Sequence, residues 1–164
     1  KIEGFAFLPI TSFMMALTTF VSQNRGAKEY ERARKGAHFG LVCSVSLAET
    51  IGLLIALFVT PLMRLFVDDP QVIQYGVERA HYATILFFML AYSHGVSAVL
   101  RGVGKSVVPM VVMLMCWCLV RVTLLTMLNM LFHNILFVYL IYPFTWSLSS
   151  IVFFLYYRKI NWQE

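Results

Sequence analysis

Residues Gln23 to Gly36 read QNRGAKEYERARKG and carry five of the thirteen lysines and arginines of the chain. An uncharged run of about twenty residues, Gly4 to Asn24, precedes this stretch. A second long apolar run follows it, broken only by Glu49. Helical segments of that length cross a bilayer, and a loop rich in Lys and Arg between two of them stays on the cytoplasmic side. Placing this loop sets the direction of every other segment.

The composition agrees. Of 164 residues, 60% are hydrophobic and 13% charged, and the mean hydropathy is +0.76. A soluble domain carries about 25% charged residues. The formal charge of +5 sits in short loops beside apolar segments. That pattern sets membrane orientation and excludes nucleic acid as the partner. The chain opens Lys1-Ile2-Glu3-Gly4 without a starting Met and reads as a piece of a longer protein. Its first apolar run is too long for a cleaved signal peptide. Cys43, Cys116 and Cys118 all lie inside apolar runs, which suits packing rather than a disulfide framework or a zinc site.

The expected fold is all-α and integral to the membrane, with spans at about residues 4–24, 36–66, 71–102, 106–132 and 135–157. Pro9 is expected to kink the first span, and Gly26 to end it in a left-handed conformation. Lys28 to Lys35 has helical spacing and reads as a short helix on the inner leaflet. The second span is long enough to require tilt. Asp69 is expected to cap the third span, with Pro70 in its first turn, and Ser106 to cap the fourth. His133-Asn134 makes a tight outer turn, and Pro143 bends the fifth span. Nine basic residues then fall on the cytoplasmic loops near 25–35 and 101–106 and on the carboxy-terminal tail, while Lys1 and Arg64 lie near the outside.

Catalytic motifs are missing. Gly104-Lys105-Ser106 resembles the end of a phosphate loop, but that motif needs a Gly where Val99 stands and a strand before it. No His-Glu-x-x-His occurs, and His81 and His94 are placed on opposing sides of one helix. The chain is therefore read as something other than an enzyme, with no metal.

Glu49 and Arg121 carry more information, because each falls near mid-membrane. An ionised side chain there costs about 2.5–3.5 kcal/mol. Both are expected to face a bundle interior or a watery cavity, and pairing with each other is one arrangement. Tyr92, Ser93 and His94 add a polar triplet to the third span, where a histidine suits proton coupling. These five residues are the candidate substrate and ion pathway. The fourteen Phe, eight Tyr and nine Met serve lipid contact and packing, and also suit a cavity for varied flat, greasy cations.

Four stretches are familiar: FVSQNRGAKEYERARKG (20–36), SAVLRGVGKSVVPM (97–110), CWCLVRVTL (116–124) and IYPFTWSLSSIVFFLYYRKINW (141–162). Together they resemble the multidrug and toxic compound extrusion (MATE) family, through its L-R-G-x-G-x-x-x-x-P turn, its Y-P-x-T-W signature and its basic tail. The resemblance implies five of the six helices of a carboxy-terminal lobe, helices eight to twelve, with helix seven and the amino-terminal lobe supplied elsewhere. It implies export of cationic and amphipathic small molecules by alternating access in exchange for Na⁺ or H⁺. Some members of the family hold the coupling cation with an acidic residue in helix ten. Here that span offers Tyr92, Ser93 and His94 but no Asp or Glu in its apolar body.

Two rivals stand beside this reading. One is a lipid-linked oligosaccharide flippase of the same broad superfamily, for which several basic residues facing the cavity are expected where the sequence offers Arg121. The other is a structural membrane module that only oligomerises through small-residue seams such as Gly36/Gly40.

Overall fold

A computed structural model describes residues 2–132 and 135–162, and its regular elements there are all helical. Helix α1 (Ile2–Gly26) leads through a short turn into α2 (Tyr30–Arg64), a continuous helix of 35 residues. Helices α3 (Pro70–Thr84) and α4 (Phe87–Gly102) follow, bent by 57° at the break between them. Helix α5 (Val107–Met113), a π-helical segment (Leu114–Val120) and α6 (Arg121–Phe132) form one further rod, and α7 (Ile135–Arg158) ends the chain. The expected turn at His133-Asn134 lies outside the described residues.

The outside of this molecule differs from that of a water-soluble protein. Its centre mixes large apolar side chains such as Phe153, Leu100 and Ile10 with small and hydroxyl ones: Ala37, Ala48, Ala91, Ala98, Ser44, Ser93, Ser97 and Ser149 are all buried. Its outside is large and apolar, with Leu57 75% and Met130 74% exposed, and α6 buries nothing. In lipid there is no gain from hiding leucine, so helices associate through close packing and hydroxyl bonds. Tyr30–Arg64, Val107–Phe132 and Ile135–Arg158 are each long and apolar enough to cross a bilayer, and the bent pair α3–α4 makes a fourth such segment. Helix α1, several of whose side chains lie outside the described residues, covers the remaining expected span as one continuous helix. This is an all-α, multi-pass membrane protein.

Helices α1, α2 and α4 pack against one another, α4 also packs on α7, and the π segment and α6 lie along α7. Close approach is local. A Cβ on Gly102 would sit 2.9 Å from the Thr18 carbonyl of α1. The seam at Gly36 and Gly40 is filled from within, because Phe20 and Leu17 of α1 occupy the space above them.

The ends of α1 and α4 share one device. At α1, Glu29 N–H bonds the Asn24 carbonyl and Lys28 N–H bonds that of Arg25, each at 2.9 Å, with Lys28 at φ 62°. At α4, Lys105 N–H bonds Leu100 at 2.9 Å and Gly104 N–H bonds Arg101 at 3.0 Å, with Gly104 at φ 82°. Each is the paired bonding of a Schellman cap. Arg25 donates from Nη1 to the Val103 carbonyl and ties the two caps together.

Several expectations change here. The left-handed residue is Lys28 rather than Gly26, because helical bonding continues through Ala27 N–H to the Gln23 carbonyl. The surface helix expected at Lys28–Lys35 is not separate: from Tyr30 onward its residues are the first turns of α2. The third span is broken, so His81 lies on α3 and His94 on α4. Ser106 makes no side-chain cap and already has helical φ and ψ. Asp69 does cap α3, accepting the Gln71 N–H at 2.8 Å, with Pro70 as its first residue. Cys116 is buried as expected of a packing residue, whereas Cys118 is exposed.

Candidate functional site

Arg121 is held by a face of α7. Its Nε and Nη2 donate to the Thr145 hydroxyl at 3.1 and 2.6 Å, and that hydroxyl in turn donates to the Tyr142 carbonyl at 3.0 Å. The guanidinium carbon lies 4.9 Å from the Trp117 ring centre and 4.7 Å from that of Tyr142. Thr145 is fully buried. Planar, weakly hydrated and delocalised, a guanidinium is the cation best suited to such an aromatic setting. Arg121 makes no ion pair among the described residues, so its charge rests on ring faces and hydroxyl oxygen. The three partners sit at helical spacings: Trp117 precedes Arg121 by four positions, and Tyr142 and Thr145 are three apart on α7.

The arrangement extends both ways. Tyr142 also meets Arg79 of α3, whose guanidinium carbon is 5.1 Å from the ring centre. On the other side Trp117 meets His94 edge to face at 5.1 Å, and His94 meets Phe7 of α1 at 4.9 Å. Trp117 Nε1 donates to the Ser149 hydroxyl at 3.3 Å. A ladder of rings and cations, Phe7–His94–Trp117–Arg121–Tyr142–Arg79, thus crosses the helix bundle.

His94 is the rung that faces open space. Its Nε2 is buried without a hydrogen-bond partner among the described residues. Beside it a cavity of about 360 Å³ lies between α1 and α4, lined also by Phe7, Met14, Thr18 and Arg101. Arg101 Nη1 donates to the Ser97 hydroxyl at 2.7 Å, which ties it back to its own helix.

The other candidates stand apart. Ser93 is buried and donates to the Leu90 carbonyl at 3.0 Å, within its own helix. Tyr92 faces a different cleft of about 330 Å³, with Val45, Met89, Ser150 and Phe154. Glu49 does not pair with Arg121; its Oε2 accepts the backbone N–H of Phe88 at 3.1 Å. The break before Phe87 leaves amide groups at the start of α4 without partners in their own helix, and the Glu49 carboxylate accepts from one of them. Gly52, one turn further along α2, leaves room for this contact: a Cβ there would lie 3.3 Å from the Thr84 carbonyl. The structure therefore joins His94 to Arg121 through Trp117 and leaves Glu49, Tyr92 and Ser93 outside that ladder.

A family model, MatE, matches residues 1–127. The chain belongs to the MatE family. Among curated proteins it is similar to the probable multidrug resistance protein NorM of Thermotoga maritima, being 30% identical to it over 112 residues, 68% of this chain and 24% of that protein. The chain thus spans about a quarter of the length of that relative. In this MatE chain the rungs Phe7, Arg79, His94, Trp117 and Arg121 fall inside the matched residues, and Tyr142 falls beyond them.

Proposed function

We propose that this chain forms part of the carboxy-terminal lobe of a multidrug or cation efflux antiporter that works by alternating access. The observation that carries this reading is membership of the MatE family, joined to likeness with a probable multidrug resistance protein. Exchange for Na⁺ or H⁺ drives export, and the substrates are amphipathic or cationic small molecules. An amino-terminal lobe and a seventh helix complete the cleft in the bilayer. The loops near 25–35 and 101–106 and the carboxy terminus face the cytoplasm, as their basic residues dictate.

Within this lobe Arg121 and His94 line the pathway, Tyr92 opens on a neighbouring cleft, and Ser93 supports the helix that carries His94 and Tyr92. Glu49 is the sole acidic residue deep in an apolar span. As it is already committed to a backbone amide, coupling relies on an acidic group elsewhere in the complete transporter. The test is accumulation of a flat aromatic cation such as ethidium in efflux-deficient bacteria that express the whole protein. Lower accumulation, abolished when the Na⁺ or H⁺ gradient is collapsed, is expected. Accumulation equal to that of empty cells overturns the reading.

A second reading, a flippase for lipid-linked oligosaccharides, draws on one observation: Arg79 and Arg121 both lie within about 5 Å of a single tyrosine ring, and two guanidinium groups suit an anionic headgroup. Flipping of a fluorescent pyrophosphate-linked lipid in vesicles, without efflux of ethidium, would select it.

A further inference from the structure

The basic end of the molecule carries a groove that none of the foregoing uses. It has a volume of about 670 Å³ and runs between the first turns of α2 and the last turn of α7. Arg34, Lys35 and His38 line its upper part, Phe39 and Val42 its lower part, and Tyr157 stands in the wall contributed by α7. Positions 34, 38 and 42 repeat every four residues and 35 and 39 run beside them, so all five lie along one stripe of α2. Along that stripe the chemistry changes once, from cationic to apolar. Phe39 is 71% and Val42 53% exposed. From Arg34 to Val42 is about 12 Å along the helix axis, the depth over which a bilayer passes from headgroup to acyl chain.

We infer that this groove is a binding site for one anionic phospholipid. Its phosphate sits against Arg34 and Lys35, with His38 and the Tyr157 hydroxyl at hand as hydrogen-bond partners. One acyl chain lies along Phe39 and Val42. The order of groups down the groove matches the order of groups in the lipid, which a soluble anion or an apolar peptide would satisfy only in part. Charge complementarity selects an anionic headgroup over a zwitterionic one. Glu31, on the same rim, lies 4.0 Å from Arg34 and competes with the phosphate for it. The inference requires that α2 and α7 cross a bilayer with this end at its surface. It is independent of whether the protein exports drugs.

The experiment is native mass spectrometry of the purified, delipidated full chain titrated with dioleoylphosphatidylglycerol and, separately, with dioleoylphosphatidylcholine. One phosphatidylglycerol is expected to be retained at concentrations where phosphatidylcholine is lost. Arg34→Gln and Lys35→Gln should each weaken retention about fivefold, and the pair together by about 25-fold. Glu31→Gln should strengthen retention, a change of sign that general damage to the fold would not give. Arg64→Gln, at the opposite end, should leave it unchanged. Equal retention of the two lipids, or phosphatidylglycerol binding unaltered in the Arg34→Gln/Lys35→Gln variant, overturns the assignment.

Discussion

Glu49 on α2 caps α4: its carboxylate accepts the Phe88 backbone N–H at 3.1 Å, one residue into the helix that restarts after the 57° bend. A broken helix in lipid leaves amides with no water to satisfy them. A negative charge at a helix amino terminus is favourable besides. Removing the acceptor with Glu49→Ala should cost about 1–2 kcal/mol. That is about 2–8 °C in the thermal midpoint of the detergent-solubilised protein. Glu49→Gln keeps an acceptor oxygen and should lose less than half as much. Equal losses for the two variants would mean that the charge matters and the cap does not.

Arg121 is expected to resist conservative replacement. Arg121→Lys keeps a positive charge but loses the planar stacking on Trp117 and Tyr142 and the paired contact with Thr145. In the complete transporter, export of ethidium should fall about tenfold for both Arg121→Lys and Arg121→Ala, the cost of about one desolvated cation–ring contact. Expression, followed by immunoblot, should stay at the parental level. Full activity in Arg121→Lys would show that charge alone is needed there.

The twin caps make a sharper comparison. Lys28 holds a left-handed conformation that glycine adopts freely, so Lys28→Gly should stabilise the loop or leave it unchanged. Gly104→Ala should destabilise by about 1 kcal/mol, since a side chain there meets the strain that Lys28 already bears. Thermal unfolding of the two variants in the same detergent measures the difference. A gain in stability for Gly104→Ala would contradict it.

Orientation is open to direct measurement. Alkaline phosphatase fused after Asp68 should be active, whereas fusions at Lys28 and Lys105 should be silent and their green fluorescent counterparts bright. The reverse pattern would invert the molecule in its membrane.

The rods were legible from residues alone. Apolar length marks them, and basic clusters at Arg25–Lys35 and Arg101–Lys105 mark their ends. Asp69 and Pro70 announced the start of α3 because their chemistry acts within three residues. What escaped depends on neighbours remote in sequence. Neither Pro nor Gly stands at the break after Thr84. It is stabilised from α2 by Glu49 and by the absence of a side chain at Gly52. Arg121 was visible as a misplaced charge, but Tyr142 and Thr145, two of its three partners, lie on another helix. Glu49 and Arg121 each had reason to seek an opposite charge, and each found a nearer neutral dipole.

The π segment Leu114–Val120 ends where Arg121 begins. A widened coil of this sort amounts to one surplus residue threaded into an otherwise regular rod. Excising a single amino acid between Leu114 and Val120 would let the coil tighten into ordinary α geometry and leave the guanidinium near its present face, whereas inserting a further one would swing it about 100° around the axis, off the aromatic rings and out toward the hydrocarbon. The placement of this half-buried cation is therefore a matter of counting as much as of side-chain identity, and the surplus residue leaves that stretch more tolerant of a deletion than of an insertion.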